Sequence, residues 1–244
     1  DFQGKDGESK SVWSGDVADP TGKCRTSMWE EPPFDFESTP VIVRIKGARV
    51  RAWQGVPDIT VDNSSQVEVL AGAPWGEDVD LANNFVSVEL DELASGASRV
   101  GISTQGTIVS IREDSGIIYR CTECRRVLRD GECATHGSQE GNMDVRLRMV
   151  LDNGKSTISL IVNKSATESL LGMSQADISS NVSENGNMQF IQDLREKLLG
   201  RELLANGRTI VDEQGAMLLS DDVELIETDS VLAASELRSK WGVV

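Results

Sequence analysis

The sequence predicts a mainly β protein with two tandem five-stranded barrels and a helix at its C-terminal end. Between residues 11 and 70, apolar and polar residues alternate in short runs and almost no helical period appears. Similar runs return between residues 100 and 226. The turns Asp19-Pro-Thr-Gly-Lys23 and Asp152-Asn-Gly-Lys155 each join two such runs. This repetition indicates that one barrel plan occurs twice.

The first domain is expected over residues 1–73, and four of its strands are visible. They cover residues 11–18, 23–29, 41–53 and 59–70. The third should bend at Gly47, because the alternation of apolar residues slips there, which is typical of a β-bulge. Cys24, Thr26 and Met28 should face the core. The opening strand of this barrel is not visible, and we expect it upstream.

A linker rich in Gly, Ala, Pro and Asp is expected over residues 74–85, and a second domain over residues 86–228. Its expected strands cover residues 100–111, 145–151, 158–162, 203–211 and 216–226. Helices are expected over residues 165–173 and 185–199, the longer one with Met188, Ile191, Leu194 and Leu198 on one face. An amphipathic helix is expected over residues 229–244.

The most specific motif is a cluster of three cysteines and the single histidine, at Cys121, Cys124, Cys133 and His136. The spacing C-x2-C and C-x2-H suits one tetrahedral Zn²⁺ in a ribbon over residues 117–140. Four protein ligands leave no open position, so the zinc is expected to be structural. A disulfide is a weaker interpretation, because it would leave one thiol unpaired. A redox role for the C-x-x-C motif is weaker still, because no βαβ pattern surrounds it.

The net charge of −16 argues against a generally basic nucleic-acid binder, and it is also typical of proteins from high-salt sources. Basic residues are nevertheless concentrated between residues 23 and 51. No phosphate-binding loop of the G-x-x-x-x-G-K-[ST] type is present, and the histidine belongs to the metal cluster, so we expect no enzyme. No signal peptide or membrane-spanning run is visible, and grouped thiols fit a reducing compartment such as the cytoplasm.

Residues 118–137, Ile-Tyr-Arg-Cys-Thr-Glu-Cys-Arg-Arg-Val-Leu-Arg-Asp-Gly-Glu-Cys-Ala-Thr-His-Gly, resemble the zinc motif of archaeal replication protein A. Residues 16–29 and 50–55 resemble the central hairpin and a later loop of an OB-fold in the same family. The resemblance implies two tandem OB-folds, the second with an inserted zinc ribbon. It implies binding and protection of single-stranded DNA in replication, recombination and repair. The sequence departs from the pattern at Ile161 and Asn163, where the second domain has no aromatic residue.

Binding of single strands requires aromatic surfaces for bases and cations for phosphates. The predicted contacts are Trp29, Trp53, Arg25, Arg51, Lys46, Arg146, Arg148 and Lys164. Packing over the barrel mouth is the alternative for Trp29, and anchoring of a loop is the alternative for Trp53. An ordinary solvated face is the alternative for Arg146 and Arg148. Tyr119 is the only aromatic candidate near the second groove, and Trp75 is expected to be a packing or linker residue.

Two functions remain open from the sequence. The first is single-stranded DNA binding, with smaller replication protein A subunits or self-association through the C-terminal helix as further partners. The second is a scaffold or accessory subunit of an enzyme complex that does not bind DNA. The acidic charge and the few aromatic residues of the second domain favour the second function.

Overall fold

The computed structural model describes residues 2–3, 9–35, 40–53, 56–75, 79–80, 84–96, 98–213, 215–227 and 230–242. The chain divides into two compact units. Residues 1–88, 95–103 and 207–216 form the first unit, and residues 89–94, 104–206 and 217–244 form the second. The domain boundaries expected from the sequence stay a prediction.

The strands up to residue 88 are short. They are β1 (Phe2–Gln3), β2 (Ser9–Lys10), β3 (Trp13–Asp19), β4 (Gly22–Met28), β5 (Val43–Lys46), β6 (Arg49–Trp53), β7 (Val56–Val61), β8 (Gln66–Val69) and β9 (Val86–Ser87). Four of them form a sheet in the order β3-β4-β7-β6. β4 and β7 run parallel, and the other neighbours are antiparallel.

The alternation of β4 confirms the faces expected from the sequence. Thr26 and Met28 are buried, whereas Arg25 is exposed on the opposite face. Cys24 is half-buried, with its Sγ atom 3.3 Å from the carbonyl oxygen of Pro57. The buried face of the sheet lines a cleft of about 1210 Å³, to which Ile59 and Phe34 also contribute.

The expected bend at Gly47 is a complete break between two strands. β5 ends at Lys46 and pairs with β8, whereas β6 begins at Arg49 and pairs with β7. Gly47 has φ of 74°, a left-handed conformation that glycine adopts without a steric penalty. The expected last strand is interrupted by a turn from Asp62 to Ser65, closed by a backbone hydrogen bond of 2.8 Å.

The later strands include the longest of the described structure, with 11 or 12 residues. They are β10 (Val100–Ile111), β11 (Gly116–Arg120), β12 (Glu132–Cys133), β13 (Gly137–Ser138), β14 (Asn142–Asp152), β15 (Thr157–Val162), β16 (Glu202–Asp212) and β17 (Gly215–Ile226). Five strands close a ring in the order β10-β14-β15-β17-β16, since β14 also pairs with β10. β15 and β17 run parallel.

This ring is an OB-fold, because the closed order of strands one, two, three, five and four, with the third parallel to the fifth, defines that topology. The four-stranded sheet around β4 has the same order without the first strand. The fold class is therefore mainly β, with two OB-type sheets. β11, β12 and β13 form the inserted ribbon between the first and second strands of the ring.

The core of the ring is aliphatic, and it comes from the inward residues of each strand. The largest fully buried members include Ile108, Leu147, Met149, Leu151, Ile158, Leu160 and Leu203. Gly106 of β10 allows a close approach. A Cβ atom there would lie 3.0 Å from Leu90 and 3.1 Å from the carbonyl oxygen of Asp152. Burial of each of these aliphatic side chains contributes roughly 1.5–3 kcal/mol.

The helices are α1 (Leu90–Ser95), α2 (Lys164–Leu171), α3 (Gln175–Asn185), α4 (Asn187–Leu198) and α5 (Ser230–Trp241). α2 begins after Asn163, whose side chain accepts a hydrogen bond from the N–H of Ala166. α3 was missing from the sequence prediction, although Ser174 and Asp177 form a capping box at its start. Phe190, not Met188, lies on the buried face of α4, because Met188 is 89% exposed. The side chain of Leu237 in α5 lies outside the described part of the structure.

Ile108 and Val109 provide a test of the ring, because they are neighbours on β10 and lie on opposite faces. Ile108 is fully buried and Val109 is 49% exposed. We expect Ile108→Ala to lower the free energy of unfolding by about 2–5 kcal/mol. Val109→Ala should lower it by less than about 1 kcal/mol. Urea unfolding measures both changes, and equal losses would contradict the assigned faces.

Candidate metal centre and nucleic-acid interface

The four residues of the Cys/His cluster lie together at the tip of the inserted ribbon. The atoms that could bind a metal, three Sγ atoms and a ring nitrogen, all lie within 4.8 Å of one another. β11 leads into Cys121, and the short β12–β13 hairpin places Cys133 and His136 on the other side. Cys121, Leu128 and Cys133 form a small buried cluster of their own.

The distances within the cluster fit a tetrahedral ion. Cys124 Sγ lies 3.6 Å from Cys133 Sγ. His136 Nδ1 lies 3.4 Å from Cys121 Sγ and 3.7 Å from Cys133 Sγ. Usual zinc–sulfur and zinc–nitrogen distances give tetrahedron edges of about 3.8 Å and 3.6 Å. The cluster could therefore hold one metal ion through three sulfurs and Nδ1.

The surroundings of Cys121 and Cys133 lower their pKa values and favour the thiolate, which is the metal-binding form of cysteine. The N–H of Arg126 favours the Cys124 thiolate as well, but burial and the two other sulfurs outweigh it and raise the pKa of Cys124. Burial opposes the charge on Cys121. The N–H groups of Cys124 and Glu123 and the contact with His136 outweigh it, and they lower the pKa of Cys121 to about 6. The thiol groups of Cys121 and Cys133 in turn raise the pKa of His136. Glu123 Oε2 lies 3.7 Å from Nε2 of His136, on the side away from the sulfurs.

In the first unit, arginines lie on the face of the four-stranded sheet that is opposite to the buried Thr26. Arg25 of β4 is in register with Asp58 of β7, which is in register with Arg51 of β6. Residues opposed in this way share a face of the sheet. Arg25 Nε lies 3.7 Å from Asp58 Oδ2, so this face presents two cations with a carboxylate between them.

The other predicted contacts of the first unit are less closely grouped. Trp29 follows the end of β4, and its backbone N–H donates to Val61. It is 43% exposed, so part of its ring is accessible to a ligand. Lys46 is exposed on β5, which belongs to a different sheet from Arg25. The side chain of Trp53 lies outside the described part of the structure.

In the second unit, Arg146 and Arg148 lie on the face of β14 opposite to its buried Val145 and Leu147. Asp114, between β10 and β11, joins them. Its Oδ2 atom accepts hydrogen bonds from Arg148 Nη1 at 2.6 Å and from Arg146 Nη2 at 3.0 Å. Partial burial opposes the charge of Asp114. The two guanidinium groups outweigh it, and the pKa of this carboxyl lies below its ordinary value.

The same face continues across the ring as a row of aliphatic residues. Arg148 is in register with Ile161, and Ile161 with Leu219. Val150 and Met217 are similarly half-buried on this face. Tyr119 does not belong to it, because Tyr119 is in register with Met143, an odd position of β14. Stacking on Tyr119 would therefore occur on the opposite side of this sheet from the arginines.

Lys164 is exposed in the first turn of α2, next to Asn163 and Asp221, whose side chains are hydrogen-bonded at 3.0 Å. The sequence interpretation missed Asp58, Asp114 and Glu123. Alternation shows which residues of one strand share a face, but it does not show which acidic loop or neighbouring-strand residue lies against them. Nothing in the spacing of Asp114 and Arg148 along the chain signals their contact.

No family model matches this chain, and no curated protein does. Among solved structures, it resembles a replication protein A heterotrimer bound to ssDNA, with a TM-score of 0.44 and 13% identity over 94% of this chain. The match covers 63% of that chain, so this chain spans less than two thirds of its length. Yeast RPA bound to ssDNA matches with a TM-score of 0.37 and 17% identity, over 57% of this chain and 85% of that chain.

A murine DNA binding protein bound with ds DNA also matches, with a TM-score of 0.37 and 10% identity, over 90% of this chain and 88% of that chain. All three TM-scores lie below 0.5, so the fold assignment rests on the strand order and register given above. In the part of the chain that the structure describes, no helix is both long and apolar enough to cross a membrane.

The metal cluster predicts one binding site per chain, and Cys24 provides the control. Titration of metal-free protein with Co²⁺ should saturate at about one equivalent, with the absorption of a tetrahedral thiolate complex. Cys124→Ser should lose most of the binding, because it removes one of the four ligands. Cys24→Ser should bind as the wild type does. A Cys24→Ser variant that loses the cobalt signal would contradict this assignment.

Proposed function

We propose that this protein binds single-stranded DNA along the arginine-bearing faces of its two OB-type sheets. The observation that carries this proposal is the pairing of arginines on one strand face opposite the core, Arg146 with Arg148 in the second unit. Arg25 and Arg51 provide a second pair on one sheet face of the first unit, on the strands β4 and β6 that flank β7. Guanidinium groups suit phosphate recognition, because they can donate two parallel hydrogen bonds.

Base contacts would differ between the two units. Trp29 lies one residue beyond β4, the strand that carries Arg25, and its partial exposure leaves a surface on which a base can stack. In the second unit the aliphatic row around Ile161 would take that place, with weaker contacts than an aromatic ring makes. We therefore assign the stronger base contact to the first unit, at Trp29 and, by the sequence, at Trp53.

The overall negative charge opposes long-range attraction to DNA, but direct contact with a phosphate depends on the local arrangement of cations. Lys46 and Lys164 would add cations near the two faces. Roles in replication, recombination and repair, and an archaeal origin, rest on the resemblance of residues 118–137 to the replication protein A motif. The same resemblance supports the C-terminal helix α5 as a site of assembly with smaller subunits or a second copy.

The metal that we assign to the ribbon is one structural Zn²⁺. Three thiolates and one imidazole are a donor set that zinc prefers, and all four positions are taken by protein atoms. The ion would join the loop after β11 to the β12–β13 hairpin, in addition to the small cluster around Leu128 and the hydrogen bonds from Thr122 to Gln139 and from Arg126 to Thr135. It would thus stabilise the ribbon and take no part in chemistry.

A scaffold without DNA binding is the second candidate, and the aliphatic row favours it. Val150, Ile161, Met217 and Leu219 form a half-buried apolar surface of the kind that another protein covers. The two candidates differ in one measurement, the affinity for oligo-dT.

Binding of labelled oligo-dT tests the proposed function. We expect affinity to fall steeply with salt, with a slope of about −0.7 per phosphate contact in a plot of log K against log salt concentration. Trp29→Ala should weaken binding by about 5- to 150-fold, the equivalent of roughly 1–3 kcal/mol of stacking. Trp75→Ala, in the expected linker, is the matched control and should bind normally. Wild-type protein without measurable binding would refute DNA binding and leave the scaffold.

Removal of zinc tests its structural role. Treatment with EDTA should lower the melting temperature of the second unit by several degrees, because metal binding is coupled to folding. Addition of Zn²⁺ should restore it. Cys24→Ser protein should respond to EDTA as the wild type does, whereas Cys133→Ser should melt early and not respond. An unchanged melting profile of the wild type in EDTA would contradict the role.

A further inference from the structure

We infer that Asp114 is an internal competitor for the phosphate that Arg146 and Arg148 would bind, and that its carboxylate sets the affinity of this face. The inference rests on the proposed function, because it concerns the ligand of the same arginine pair. A carboxylate and a phosphate present the same kind of oxygen acceptor to a guanidinium group. The Asp114 carboxylate and a phosphate therefore cannot occupy this position together. A phosphate must displace the carboxylate to bind there.

The geometry shows that Asp114 occupies the arginines as a ligand would. A single oxygen, Oδ2, accepts from one guanidinium nitrogen of each arginine, at 2.6 Å and 3.0 Å. Arg146 is the more buried partner, with 14% of its side chain exposed, and 37% of Arg148 is exposed. The buried Nε of Arg146 has no hydrogen-bond partner among the described residues, so this guanidinium has an unused donor.

The turn that carries Asp114 is held in place by the backbone of β14. Arg112 N–H donates to the carbonyl oxygen of Arg148 at 2.8 Å. Ser115 Oγ donates to the same oxygen at 3.2 Å and accepts from Arg148 N–H at 2.9 Å. Ser115 is 1% exposed, so these bonds are protected from water. The Asp114 backbone is therefore positioned next to the arginines before any ligand arrives.

The Asp114 side chain itself is able to leave. It is 49% exposed, and within the described part of the structure it forms ion pairs with the two arginines. The pair with Arg148 is exposed, and exposed ion pairs contribute little free energy, about 0.2–1 kcal/mol, because water solvates the separated charges. Arg146 is more buried, but a DNA phosphate that replaces the carboxylate would keep its guanidinium paired, so the exchange would have a small cost. The turn would keep its place, because its backbone bonds do not involve the carboxylate.

The first unit has a similar arrangement. Asp58 is in register between Arg25 and Arg51, and its Oδ2 lies 3.7 Å from Arg25 Nε. Asp58 is however bound more firmly, because its carboxylate also accepts from the hydroxyl groups of Ser27 and Thr60. Its side chain is only 23% exposed. We therefore assign the displaceable competitor to Asp114 alone.

Oligo-dT titrations of Asp114→Asn test the inference. Asparagine keeps the size of the side chain and removes its charge, so we expect about two- to tenfold tighter binding. The salt dependence should become steeper, since the arginines no longer carry an internal counter-ion. Asp193→Asn makes the same change of net charge on α4, where the carboxylate accepts from Gln189 of its own helix. It should change affinity by less than about twofold.

The double variant Asp114→Asn/Arg148→Gln separates competition from a general effect of charge. The gain from Asp114→Asn should become smaller in the Arg148→Gln background than in the wild type, because one of the two guanidinium groups for which the carboxylate and the phosphate compete is then absent. Urea unfolding of each variant shows whether the fold is intact. Unchanged or weaker binding by a folded Asp114→Asn protein would overturn the inference, and so would a gain of undiminished size in the double variant relative to Arg148→Gln.

Failure of the inference and failure of the proposed function give different results. If the wild type does not bind oligo-dT, the proposed function fails and the inference fails with it. If the wild type binds and Trp29→Ala weakens binding, but Asp114→Asn does not strengthen it, only the inference fails. In that case Asp114 is a structural ion-pair partner of the two arginines.

Discussion

The structure of the second unit depends on the pairing of β14, Asn142–Asp152. Its first half pairs with β11 of the ribbon, and its second half pairs with β10, which closes the ring. Along its other edge it pairs with β15. One strand therefore joins the metal-binding insertion, the closed barrel and the arginine face. The alternation of its side chains separates these roles, with aliphatic residues inward and Arg146 and Arg148 on the opposite face.

The arginine face shows how an acidic protein can present cations to a ligand. The chain carries a net charge of −16, yet its paired arginines are placed on sheet faces by the register of the strands. Carboxylates accompany both pairs, at Asp58 and Asp114. An arginine pair that is already paired with a carboxylate binds single small anions more weakly than an arginine pair without such a partner. Such an arrangement would favour a polyanion that makes several contacts at once.

The metal cluster and the proposed DNA-binding faces differ in how far the sequence predicts them. The four cluster residues lie within sixteen positions, so local chain geometry brings them together and the motif predicts their proximity. The sequence predicts the inward and outward faces of β4 and β14 equally well, because side chains alternate between the two faces of a strand. The helical period wrongly placed Met188 on the buried face of α4. The order of polar and apolar residues in this helix is compatible with more than one buried face. The sequence interpretation also missed α3, whose capping box was readable.

The sequence by itself determined that the chain folds into two related β units, and it located the strands of the ring and the Cys/His cluster. These features depend on local periodicity, turn residues and short spacing. Only the tertiary structure decided which residues meet across long separations. Asp114 contacts Arg148 thirty-four positions away, and Arg25 shares its row with Asp58 and Arg51. Strand register and a turn anchored by Ser115 set these contacts, and no pattern along the chain encodes them.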